Sequence, residues 1–151
     1  MTSFNDITIE KLEEYFELLE DWEERYAYLI ELGKKLPAMQ ETLKTESNRV
    51  KGCQATVWLA DSINNETEPK LRLEADSNST IVKGLVAVLL ILFNQKTPAQ
   101  ILEIDPKSAL AKLQLEQHLS PTRKTGLLAM TQQIQARAKS LQEKGSTESA
   151  S

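Results

Sequence analysis

One cysteine and one histidine are the side chains here best suited to covalent or acid–base chemistry. Cys53 stands in the run Arg49-Val50-Lys51-Gly52-Cys53-Gln54. A thiolate is the reactive form of cysteine, and cations held close to the sulfur favour it. Arg49 and Lys51 place two such cations beside Cys53 in the chain, and Gly52 allows a tight bend that a side chain would forbid. Those features describe a presented nucleophile. A buried cysteine acting as a small hydrophobe is the other reading, and the residues by themselves leave both open. His118 and Arg123 flank Ser120-Pro121, a helix start. Pairing Cys53 with His118 as base would suit a thiol hydrolase or transferase. Such an enzyme also needs a group to orient the imidazole and an oxyanion hole, and no motif marks either. A lone histidine is otherwise a hydrogen-bonded structural or surface residue, and Arg123 a solvated or salt-bridged residue of a first helical turn. One Cys and one His cannot hold an iron–sulfur cluster within one chain, so no metal site is expected.

The elements that must position these residues are legible from periodicity. Thr8 caps a helix in which Ile9, Leu12, Phe16 and Leu19 recur at helical spacing, and Asp21 with Glu24 opens a second. Gly33 and Pro37 read as its stop signals. Residues 42–52 turn polar and read as a loop, with a short strand near Val50 ended by Gly52. Beyond Cys53 the pattern switches to period two: Ala55, Val57 and Leu59 on one side, Thr56, Trp58 and Ala60 on the other. Leu71, Leu73 and Ala75 alternate likewise after a polar turn at Asn64-Asn65, which predicts an antiparallel hairpin. Ser79 caps a helix from Thr80 to about Phe93 that is apolar nearly all round and hence central. Thr97-Pro98, Asp105-Pro106 and Ser120-Pro121 are cap-plus-proline starts of three further helices. Trp22 and Trp58 read as core or interface residues, Asp76 and Lys83 as structural. The expected fold is α+β: a small antiparallel sheet of about three strands covered by helices, in a single domain over 1–142 with a disordered tail over 143–151.

Bulk properties narrow the classes of function. A chain of 151 residues with 40% hydrophobic and 26% charged residues suits one globular domain. The formal net charge of −4 lacks the basic field of a nucleic-acid binder. Residues 1–10 show no secretory pattern, and the longest apolar run, Leu85 to Phe93, falls far short of a membrane span. A single cysteine forms no internal disulfide, which fits a reducing compartment. A cytoplasmic protein, bound neither to membrane nor to nucleic acid, is expected.

Four ordered blocks resemble one known family. The segment Asn48-Arg49-Val50-Lys51-Gly52-Cys53-Gln54-Ala55-Thr56-Val57-Trp58 is similar to the active loop of the SufE family of cysteine desulfuration proteins. Trp22-Glu23-Glu24-Arg25-Tyr26 with Ile30-Glu31-Leu32-Gly33 matches the family in the same order. So do Ala75-Asp76-Ser77 with Ile81-Val82-Lys83-Gly84-Leu85, and Gln117-His118-Leu119-Ser120-Pro121-Thr122-Arg123. The likeness runs from about Ile9 to Leu141, and ordered blocks are far more specific than one short motif.

The resemblance implies a sulfur acceptor for iron–sulfur cluster assembly. A pyridoxal-phosphate cysteine desulfurase would hold sulfur as a persulfide, and Cys53 would take it up. The protein would stimulate the desulfurase and donate the sulfur to a cluster scaffold protein. Pyridoxal phosphate would belong to the partner, with no cofactor on this chain, and a homodimer stays open. The resemblance implies supporting places for Arg49, Lys51, Gly52, Gln54, His118 and Arg123 around Cys53, and a resting thiol in a shallow apolar pocket. Two other classes remain as rivals: the Cys53–His118 hydrolase or transferase, and an interaction module in which Cys53 is incidental.

Overall fold

The computed structural model describes residues 4, 7–52, 55–64, 69–115 and 119–150; for 64 and 144–150 it describes the backbone alone. In chain order the elements are α1 (Ile9–Leu18), α2 (Trp22–Lys34), two 3₁₀ turns (Glu41–Leu43 and Glu46–Asn48), β1 (Val57–Asn64) and β2 (Lys70–Ser77). They continue with α3 (Thr80–Phe93), α4 (Pro98–Glu103), α5 (Pro106–Lys112) and α6 (Pro121–Ala150). The architecture is the expected α+β.

The helix starts use the predicted caps. Thr8 Oγ1 accepts from the Lys11 amide at 3.2 Å and Asp21 Oδ1 from the Glu24 amide at 2.8 Å. Thr97 and Gln100 form a full capping box, and Ser120 Oγ accepts from the Arg123 amide at 3.3 Å. Each cap satisfies an amide that the first helical turn would leave orphaned.

α3 is the centre of the molecule. Eleven of its fourteen residues are buried, because a helix apolar on every face must be covered on every face. α2 lies across it so closely that glycine is required at the crossing. A Cβ on Gly84 would stand 2.3 Å from the Leu29 carbonyl oxygen, and one on Gly33 would stand 2.8 Å from the Gly84 amide nitrogen. Gly33 therefore does not stop α2, as the sequence suggested. The helix runs one residue past it, and the glycine serves helix–helix approach.

Among the described residues the sheet holds two strands rather than about three. β1 and β2 pair antiparallel in the register Val57↔Ser77 to Asn64↔Lys70. The segment expected as a third strand makes a single bridge, Arg49↔Trp58, with the Val50 amide donating to the Val57 carbonyl at 2.8 Å. Gly52, at φ +92°, turns the chain away before pairing extends. On the opposite edge Leu71 bridges Lys96.

α6 packs on α4 and α3, and Leu127, Met130, Ile134 and Ala138 are among its buried residues. Arg137 pairs with Asp61 of β1, and Gln135 Nε2 donates to the Ile104 carbonyl at 3.0 Å. Among the described side chains of α6, Leu141 is the last packed against the core. The backbone nevertheless stays helical to Ala150, across the stretch whose composition predicts a disordered tail. Once a helix is nucleated each added residue gains a hydrogen bond, and this stretch has no proline to interrupt it. Among the described residues no helix is long and apolar enough to cross a membrane.

Candidate functional site

The described residues of the segment 51–56, namely 51, 52, 55 and 56, stand between two anchored positions. At its base Val50 is 2% exposed and hydrogen-bonded to Val57, which is 1% exposed and begins β1. Gly52 rests on α6, for a Cβ built on it would come 3.2 Å from the Ala129 Cβ. The φ of +92° there is a conformation that L side chains rarely adopt, so the sequence needs glycine on both counts. Lys51 and Gly52 are exposed. Cys53 and Gln54, which stand between Gly52 and Ala55 in the chain, lie outside the described residues, as does His118. The expectations placed on those three are carried by sequence.

Ala55 borders a cavity of about 290 Å³. Val82 and Leu85 of α3 and Leu127 and Met130 of α6 make its apolar wall, and Ser79, Thr122 and Arg123 its polar lining. Two helix N-termini thus border one cavity: that of α3, capped by Ser79, and that of α6, which carries Thr122 and Arg123 in its first turn. A helix N-terminus bears partial positive charge, and Arg123 adds a full one. Such a cavity offers apolar cover to sulfur and a favourable potential to an anion.

Arg123 lines the same cavity as Ala55. Arg49 is spread between duties. Its backbone bridges Trp58, and its guanidinium lies 3.8 Å from Glu46 in an exposed pair. An exposed pair of that kind contributes little, about 0–1 kcal/mol.

A cluster that the sequence did not reveal lies just upstream. Asp76 Oδ2 pairs with Lys44 Nζ at 3.0 Å, while its Oδ1 pairs with Lys83 Nζ at 3.3 Å and accepts from the Ser77 amide at 2.8 Å. Burial raises the carboxyl, but Lys44, the Ser77 amide and Lys83 together outweigh it and leave Asp76 below its ordinary value. Lys44 is raised by its bonds to Glu41 and to Asp76. Its ammonium also lies 5.5 Å from the Trp58 ring centroid, in cation–π range. Asp76 and Lys83 were read as structural, and Lys44 carried no signal. Asp76 and Trp58 stand 32 and 14 residues away from it, a relation no local pattern encodes.

These features define a small α+β domain in which Ala55, two positions after the chain's one cysteine, borders an apolar cavity that Arg123 also lines. The chain belongs to the SufE family: the model of the Fe-S metabolism associated domain matches residues 10–138, which ties the chain to iron–sulfur metabolism. It is also similar to a solved structure from Thermus thermophilus, described as the solution structure of a hypothetical protein. The two share 25% identity and a TM-score of 0.70, over 87% of this chain and 93% of that one.

Proposed function

We propose that this protein is a sulfur relay that takes persulfide sulfur from a pyridoxal-phosphate cysteine desulfurase onto Cys53, stimulates that enzyme, and donates the sulfur to a cluster scaffold. The observation that carries the reading is the loop's suspension. Gly52 is seated on Ala129 at a φ open to glycine, and Ala55 stands at the mouth of the cavity bordered by Arg123. Family membership supports the same reading.

In the transfer step the Cys53 thiolate attacks the outer sulfur of the partner's persulfide. A sulfur–sulfur bond forms at Cys53, the partner's sulfur–sulfur bond breaks, and the partner's cysteine leaves as thiolate. No net oxidant is consumed, as in thiol–disulfide exchange. The positive bias near the loop favours the attacking thiolate, and later the anionic terminal sulfur of the loaded protein. Apolar walls protect that sulfur between encounters. The setting proposed is the cytoplasm. Arg49 and Lys51 lie beside the cysteine in sequence, where they would steer a partner with an acidic rim.

The test is mass spectrometry of Cys53 after incubation with a cysteine desulfurase, free cysteine and pyridoxal phosphate. The wild-type protein gains the mass of one sulfur at Cys53. Cys53→Ser, a near-isosteric change costing on the order of 1 kcal/mol or less, gains none and no longer accelerates the desulfurase. Sulfur uptake or acceleration by the serine variant would overturn the relay reading.

A further inference from the structure

Among the described residues, two of the exposed large hydrophobic side chains stand together on α1, one helical turn apart: Tyr15 is 46% exposed and Leu18 77%. Neither takes part in the chemistry above. Tyr15 stacks on Tyr28 of α2 with ring centroids 4.3 Å apart, and the buried Phe16 meets the same ring edge-on at 5.7 Å. The stack fixes an apolar platform across both helices, with Leu18 beside it. Rigid aromatic rings next to exposed aliphatic surface are what protein interfaces place at their centres.

This platform is set among carboxylates. From Glu10 to Glu24 the chain carries eight acidic residues and one lysine, a formal −7 in a chain whose net charge is −4. Two of the eight serve the fold directly: Asp21 caps α2, and Glu24 accepts from the Glu20 amide. Glu13, Glu14 and Glu17 instead crowd like charges at i, i+3 and i, i+4 on α1. Glu17 also lies in the last turn, where the helix dipole disfavours an anion and no basic residue answers it. The fold does not account for this charge, whereas a partner bearing cations does.

Charge and rings together select that partner. Arginine pairs with carboxylates and stacks on aromatic faces through one planar group, so an arginine-bearing surface satisfies both halves of this face. A second copy does not, because in the usual two-fold dimer a patch meets itself and acid would face acid. A donor with the acidic rim that suits Arg49 and Lys51 is repelled here. The platform is nonetheless close to the thiol side. Tyr28 adjoins Leu29, whose carbonyl lies against Gly84 of α3, and nearby Val82 and Leu85 line the cavity beside Ala55. An interface of ordinary size, about 800 Å² on each partner, is broad enough to take in the platform and reach that end of α3.

We propose that the α1–α2 face centred on Tyr15, Leu18 and Tyr28 is the docking surface for the protein that receives the sulfur, the cluster scaffold, which meets it with a basic, arginine-bearing surface. The role rests on the relay reading, but the contact itself needs no sulfur on either protein.

Binding of the reduced, unloaded full chain to the cluster scaffold of the same organism, followed by biolayer interferometry, tests it. Wild type should bind, and more weakly as salt rises from about 50 to about 500 mM, since charges across the contact are screened. Tyr15→Ala with Leu18→Ser should weaken binding at least about tenfold, as loss of a central anchor does. Glu14→Lys with Glu17→Lys should weaken it as much by a different route, and should also flatten the salt dependence. Lys139→Glu, on the exposed face of α6, should bind as wild type does. Neither double variant should melt more than about 2 °C below wild type, and both should take up sulfur from the desulfurase at the wild-type rate. A wild type that does not bind the scaffold, binding unchanged in both double variants, or sulfur uptake lost in step with binding would overturn the proposal. So would sedimentation that shows a wild-type dimer dissolved by the double variants, since the face would then seat a second copy. A wild type that binds through this face yet takes up no sulfur would overturn the relay reading alone.

Discussion

Replacing Gly52 with alanine should loosen the thiol loop while leaving the fold in place. At φ +92° an L residue is strained by about 1–2 kcal/mol. The new methyl would also stand 3.2 Å from the Ala129 Cβ, so either the loop or α6 must give by a few tenths of an ångström. α6 is held by Leu127, Met130 and Ile134 in the core, whereas Gly52 is exposed, so the loop gives. Taking about 2 kcal/mol in all, departure from the resting conformation becomes about thirtyfold more frequent. Amide hydrogen exchange in the full chain reads this directly. Protection at residues 51, 52, 55 and 56 should fall by up to that factor. The Val50 amide, bonded to the Val57 carbonyl and 2% exposed, should keep its protection as an internal control. The melting temperature should drop by less than the roughly 4–8 °C that a global loss of 2 kcal/mol produces in a domain of this size. Unchanged exchange around the loop would refute the strain argument. A full global loss with the loop still protected would refute its localisation.

Two further outcomes follow from the same geometry. Gly84→Ala places a methyl 2.3 Å from the Leu29 carbonyl oxygen at the α2–α3 crossing. The helices must part, at a cost of about 3 kcal/mol or more, and a chemical-denaturation midpoint equal to wild type would show that the crossing yields freely. The Asp76 carboxyl, whose folded value lies below the ordinary one, contributes stability that is complete above the unfolded carboxylate value of about 3.9. That contribution is lost as pH falls through the folded value. The stability gap between wild type and Asp76→Asn, from denaturation curves between pH 7 and pH 3, should be flat at the top of the range and close towards the bottom. A gap that widens on acidification would contradict the sign of the linkage.

Local chemistry explains why much of the molecule could be read before folding. Caps such as Thr8, Asp21 and Thr97 act within three residues of themselves, so they are visible in sequence and appear where expected. The period-two alternation around Val57 and Leu73 and the all-apolar run of α3 report burial directly, because each face must match its surroundings. The four ordered blocks sufficed for the family, and through it for Cys53 as the residue of interest.

Tertiary structure decided what depends on distant partners. Gly33 looks like a helix stop in sequence, yet it permits the approach of α2 to Gly84, fifty-one positions later. The strand near Val50 shrinks to one bridge because Gly52 turns to meet Ala129 of α6, seventy-seven positions later. Arg123 reaches the cavity beside Ala55 only because α6 packs where its first turn shares that cavity with the start of α3. Lys44 has no pattern of its own, and acquires its partners when pairing of β1 with β2 sets Trp58 beside Asp76. By itself, then, the sequence determined which residue types could carry sulfur and which local elements would hold them. Packing alone decided how the thiol loop is seated, since seating depends on close contacts between segments that local pattern does not relate.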